Sequence, residues 1–219
     1  MLNPDRIIRK LAKRYPHVVY AVDTREPAVA LTIDDGPHPA TTDAILDVLR
    51  QHGARATFFL ITGRIAGNER IVRRIVDEGH EIANHLTADQ PSINLSPLEF
   101  ERALLKSHET LRQFARVRWF RPGSGWYNGM MLAILYKHGY QCALGSVYPY
   151  DAAIPSSRFA ARYVLARVGP GSVIVLHDGG DRGRRTAATL SVILPELALR
   201  GLEVVTLSEL AGGDPMPWA

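Results

Sequence analysis

Along the chain, short apolar runs alternate with longer stretches in which apolar residues recur every three or four positions. The short runs fit strands and the longer stretches fit amphipathic helices. The expected strands are "VALTI" (29–33), "RATFFLI" (55–61), "HEIAN" (80–84), "VRWFR" (117–121), "YQCALGSVY" (140–148), "GSVIVLHD" (171–178) and "LEVVTL" (202–207). Between them the spacing predicts helices over 41–53, 68–79, 96–115, 128–139, 156–169 and 184–201. Gly53 and Gly79 close two of these, and Ser96, Pro97 and Glu99 form a capping-box start for the third. Strand and helix in strict alternation imply parallel strands joined by crossover helices. Seven or so strands fit either a barrel or a doubly wound sheet, and periodicity does not choose between them.

In both architectures the active site is built from the C-terminal ends of the strands. Asp34, Asp35, His85, Arg121, His177 and Asp178 all fall at or just past expected strand ends. Residues far apart in sequence are therefore expected on one rim.

The chain has 219 residues and a net charge of +4. The length suits one sizeable core without staples. Cys142 is the only cysteine, which excludes an intrachain disulfide, and it reads as a small buried residue. Arg6, Arg9, Lys10, Lys13 and Arg14 surround Ile7, Ile8 and Leu11 in a basic opening segment, read as a short solvated helix packing on the domain. No apolar stretch follows it as a signal peptide requires, and no run approaches the roughly 20 apolar residues of a membrane span. The expectation is a cytoplasmic protein, extracytoplasmic only if a leader is removed. No nucleic-acid motif accompanies the mild basicity, and nothing indicates an oligomeric state. The domain reading is 1–27 as basic segment and lead-in, 28–212 as the catalytic domain, and 213–219 as a tail.

Several rim residues suit hydrolysis. In "LTIDDGPHP" two adjacent carboxylates leave an apolar strand, where one can bind a metal while its neighbour acts as base. A βα turn also favours aspartate, so both readings stand. In "NHLTADQP", His85 and Asp89 are four residues apart. Together with Asp35 they would supply the three protein ligands of a catalytic zinc site. His177 can serve as general acid or simply cap the sheet. Arg121 is suited to pair with Asp34 or Asp35. "GSGW" (123–126) offers backbone N–H groups for an oxyanion, or an ordinary loop.

Taken together, "TIDDGP", "ATFFLITG", "IVDEGHEIANH", "RPGSG" and "LHD" resemble the polysaccharide deacetylase family of metal-dependent carbohydrate esterases, over about residues 28–210. The resemblance implies a single-domain α/β fold, a distorted (β/α) barrel of about seven parallel strands. It implies hydrolytic removal of acetyl groups from an N-acetylated glycan, of chitooligosaccharide or peptidoglycan type. Metal binding would fall to Asp35, His85 and residue 89, with zinc the first choice and cobalt or nickel as alternatives. Asp34 would be the base, His177 the acid, Arg121 the partner of Asp34, and Asp151 an aid to His177. Backbone N–H near Gly123 or Ser124 would meet the oxyanion, and Trp126, Val175 and Leu176 would wall an acetyl pocket. The chain departs from the family where Asp89 replaces a second histidine, and where "SVYPYD" keeps only Asp151 as an acid. Two rival readings remain: an amidase acting on a small cyclic amide or imide, and a glycan-binding pseudoenzyme disabled at Asp89.

Overall fold

A computed structural model describes residues 18–212, so the basic segment and the tail beyond Gly212 lie outside the described residues. Among the described residues, eight parallel strands form one sheet: β1 (Val18–Val19), β2 (Ala28–Asp34), β3 (Thr57–Leu60), β4 (Glu81–Asn84), β5 (Trp119–Phe120), β6 (Gln141–Ala143), β7 (Val173–His177) and β8 (Glu203–Val205). Their spatial order is β1-β6-β5-β4-β3-β2-β7, with β8 against the start of β2. Isolated bridges from Ala21 to Ser172 and from Val147 to Ile174 connect the two ends of this path. The sheet is thus curled into a distorted barrel, as expected. β1 has no counterpart in the expected strand list, because two valines are too short a run to read as a strand.

The crossover helices are α1 (Thr42–Gln51), α2 (Glu69–Asp77), α3 (Pro97–Leu111), α4 (Gly129–Lys137), α5 (Ser157–Arg167) and α6 (Asp181–Leu199), and a short α7 (Leu207–Leu210) ends the described chain. The Ser96–Glu99 capping box forms as read, each residue bonding the other's backbone N–H. No helix among the described residues is long and apolar enough to cross a membrane.

Alternation along the strands splits the core in two. Leu31, Ile33, Phe58, Leu60, Ile82, Ile174 and Leu176 belong to a large cluster with helix residues such as Ile45, Leu49, Ile75 and Leu190. Ala30, Phe59, Ala83, Trp119, Ala143 and Val173 form a smaller cluster on the other face, joined by Leu207 and Leu210 of α7. The continuous apolar runs of β2 and β7 follow from burial on both faces. Cys142 is buried, and burial pushes its thiol up to about 12, as suits an inert core residue.

The strand expected over 140–148 ends at Ala143. The Arg121 guanidinium takes the carbonyls of Ala143 and Leu144, at 3.0 and 2.7 Å, and the chain leaves the sheet there. Gly145 then passes so close to Val175 that a Cβ would lie 2.3 Å from its methyl group.

Candidate active site

Asp34 and His177 are register partners at the ends of neighbouring β2 and β7. Both share the strand face of Thr32 and Val175, away from the helices. His85 and Arg121 each follow the last residue of β4 and β5, where Asn84 pairs with Phe120. The rim convergence expected from the strand ends is therefore present, around a cavity of about 470 Å³. Its lining includes Asp34, Asp35, His85, Asp89, Arg121 and His177.

Asp34 is 3% exposed and accepts a 2.5 Å bond from Arg121 Nη1. The same nitrogen reaches Thr32 Oγ1 at 2.8 Å, and the guanidinium lies 4.0 Å over the Phe59 ring. Its Nε and Nη2 donate to the Ala143 and Leu144 carbonyls, so four acceptors hold the guanidinium against Asp34. Arg121 thus supplies the buried Asp34 carboxylate with its countercharge.

His177 is held by Asp151. One carboxylate oxygen accepts from the His177 backbone N–H at 2.9 Å, and the other lies 3.0 Å from Nδ1. With the carboxylate as acceptor, Nδ1 carries the proton and Nε2 is the nitrogen left for a ligand. Burial opposes the imidazolium, but the Asp151 hydrogen bond and charge, with the Asp34 and Asp35 charges, raise the His177 pKa. Tyr148 packs edge-on against the ring at 5.7 Å.

Asp35 adopts φ 71°, a left-handed conformation that turns its side chain to the rim beside that of Asp34. His85 donates from Nδ1 to the Arg121 carbonyl at 2.7 Å, since a carbonyl can only accept. Its Nε2 lone pair therefore faces Asp35 Oδ1, 3.6 Å away. An imidazole oriented by a backbone carbonyl, opposite a buried carboxylate, is the arrangement of two metal ligands. Burial raises the Asp35 pKa and the Asp34 charge adds to the rise, against the lowering that a protonated His85 would bring. Asp89 lines the same cavity, but its Oδ2 accepts from Arg64 Nη2 at 3.1 Å. Among the described residues, no three His, Cys, Asp or Glu side chains are gathered closely enough to hold an ion. Asp35, His85 and Asp89 are of the chemical kind that suits a divalent metal, with Asp35 Oδ2 paired with Arg182 and Asp89 with Arg64.

The remaining expected residues divide. Val175, Ser124 and Gly125 line the cavity, together with Leu144 and Tyr148. The Gly123 N–H is already committed to Ser92 Oγ at 2.8 Å, which leaves Ser124 at the cavity. Leu176 is fully buried in the helix-facing cluster, since it alternates with His177. Trp126 is 69% exposed and is not among the lining residues. Asp178 is fully buried and accepts from Thr41 Oγ1 and Thr42 Oγ1, tying the β7 end to the start of α1. Arg64 and Arg182 had no signal in the pattern: Arg182 Nη1 donates to Asp35 Oδ2 at 2.9 Å and Arg64 Nη1 to the Asp35 carbonyl at 2.5 Å. Asn84 was also missed. Its amide oxygen accepts from the Leu86 N–H and Ser107 Oγ, both at 2.8 Å, and so shapes the turn that carries His85.

The sequence profile of the polysaccharide deacetylase family matches residues 21–143. A peptidoglycan-N-acetylglucosamine deacetylase of Bacillus cereus is 35% identical over 207 residues, covering 93% of this chain and 97% of that protein. A chitooligosaccharide deacetylase of a Bradyrhizobium species is 35% identical over 84% of this chain and 90% of its own. The crystal structure of a peptidoglycan N-acetylglucosamine deacetylase, in complex with a naphthalenyl N-oxidanyl-benzamide, superposes with a TM-score of 0.85 at 30% identity, covering 92% of this chain and 95% of that one.

Proposed function

This chain belongs to the polysaccharide deacetylase family, and from that premise we propose that it is a metal-dependent hydrolase that removes acetyl groups from N-acetylated sugars. The substrate class is a chitooligosaccharide or a peptidoglycan-type glycan, as the names of its relatives suggest. Members of the family are metal-dependent in general. Asp35 and His85, with Asp89 as third ligand, would hold the ion, zinc being the first candidate. When bound, it would supply Lewis-acid polarisation of the acetyl carbonyl.

The protein's own groups account for the proton movements. Asp34, kept ionised and oriented by Arg121, accepts a proton from the attacking water. Oxygen adds to the acetyl carbon, and Ser124 at the cavity wall is the backbone candidate to meet the developing oxyanion. His177, with Nδ1 fixed on Asp151, donates from Nε2 to the amine as the C–N bond breaks. The products are acetate and a free amino sugar. Leu144, Val175 and Tyr148 offer apolar surface for the acetyl methyl.

One observation carries this reading: the Asp34–Arg121 pair and His177, which is backed by Asp151, face one cavity, with Asp35 and His85 on the same rim. The test is acetate release from N-acetylated chitooligosaccharides and peptidoglycan fragments by zinc-loaded protein. Acetate release supports the proposal. Glycan binding with neither metal uptake nor acetate would instead identify a binding protein, and ring opening of a cyclic imide without acetate release an amidase.

A further inference from the structure

We propose that Arg64 sets the metal affinity of this site by holding Asp89 until an ion takes it. The inference rests on the reading of Asp35, His85 and Asp89 as metal ligands. Arg64 ends a single helical turn (Thr62–Arg64) that follows β3. This turn is bonded to the loop carrying His85 and Asp89. Thr62 and Gly63 donate their N–H groups to the Leu86 and Thr87 carbonyls at 2.9 and 3.2 Å. A Cβ at Gly63 would lie 2.4 Å from the Thr87 oxygen, so the two segments approach as closely as backbone allows. The position of the arginine relative to Asp89 is therefore built into the fold.

The guanidinium spans two of the three ligand residues, with Nη1 on the Asp35 carbonyl and Nη2 on Asp89 Oδ2. A second arginine, Arg182, occupies Asp35 Oδ2. Two carboxylates and a neutral imidazole carry a charge of −2, and these two guanidinium groups offset it. Where a histidine stood at position 89, the ligand set would carry one negative charge fewer and would have no carboxylate to offer Arg64. Arg64 thus answers the extra charge that Asp89 brings. A divalent ion must take Asp89 from Arg64 and then sit beside a fixed positive charge. Both effects weaken binding, and both act through the same side chain.

The test is zinc titration of the metal-free protein in competition with a chromogenic chelator, comparing wild type, Arg64→Gln, Arg64→Lys and Arg64→Gln/Asp89→Ala. Arg64→Gln is expected to bind zinc about tenfold tighter or more, because it removes a nearby charge and frees the ligand. Arg64→Lys keeps the charge but loses the two-pronged grip, so its affinity should fall between the two. Adding Asp89→Ala should cancel most of the gain. Lysine is the more conservative change, so tightening there supports the proposal even if the glutamine variant folds poorly. Zinc bound equally, or more weakly, by both Arg64 variants overturns this inference and leaves the metal reading standing. No zinc bound by any of the proteins overturns both.

Discussion

On one side of the cavity, Asp34 and His177 end adjacent strands, and buried Arg121 and Asp151 hold them. On the other side, Asp89 extends from a loop with its side chain 54% exposed, and its partner is an arginine itself one-third exposed. The first side is built from backbone already fixed by the sheet, and each of its two reactive side chains is held by a buried partner of opposite character. The second depends on a loop shaped by Asn84, with Leu86 at φ 62°, and docked against the turn before Arg64. A substitution is tolerated structurally where the side chain hangs from such a loop. The same exchange at Asp34 would leave Arg121 buried without its countercharge. That contrast explains how the proton-transfer groups keep full support while position 89 departs from the family pattern.

The largest effects should come from the sheet side. Asp34→Asn or His177→Ala, at unchanged metal content, is expected to lower acetate release by about 100- to 10,000-fold. Near-normal rates in either variant would remove that residue from the proton-transfer role. Next comes the support beneath Asp34. Arg121→Met leaves a buried carboxylate without its cation and should cost about 3–5 kcal/mol in denaturant unfolding. A loss under about 1 kcal/mol would mean that the sheet side is no more constrained than the loop.

The same contrast governs what could be read from sequence. Asp34, Asp35, His85, Arg121 and His177 were legible because a βα rhythm forces strand ends onto one rim. The sheet itself followed from apolar runs buried on both faces. Arg64 and Arg182 were not legible, since a long guanidinium side chain reaches its partner from positions that carry no periodic signal. The end of β6 at Ala143 was hidden for a related reason: its cause is the side chain of Arg121, 22 residues earlier. The misplacement of Leu176 was avoidable, because period-two alternation already sets it opposite His177.

The loop side can be perturbed alone. Gly63→Ala forces a methyl group against the Thr87 carbonyl and should cost about 1–3 kcal/mol of stability through strain at the turn. The readout is the denaturant midpoint beside the zinc affinity. A shift in both would show that the docked turn sets the placement of Asp89. Unchanged stability would mean that the 85–89 loop yields freely, and the contrast between the two sides would be one of exposure rather than constraint.

The smallest effect concerns tuning rather than presence. His177 must be protonated to donate to the leaving amine, and its pKa is raised. Burial acts against the imidazolium, whereas the hydrogen bond and charge of Asp151 favour it and prevail. A raised pKa keeps the acid form populated to higher pH, so the loss of activity on the alkaline side is deferred. Asp151→Asn keeps the shape and can still bond the ring, but removes the charge. Burial is then opposed by less, the pKa falls, and the alkaline limb of kcat/KM should move to lower pH. The acidic limb should stay in place, since the substitution touches only the His177 side. A profile in which both limbs move together would tie Asp151 to the whole cavity instead of to His177. One in which neither moves would show that the single acid kept in "SVYPYD" positions the ring without setting its charge.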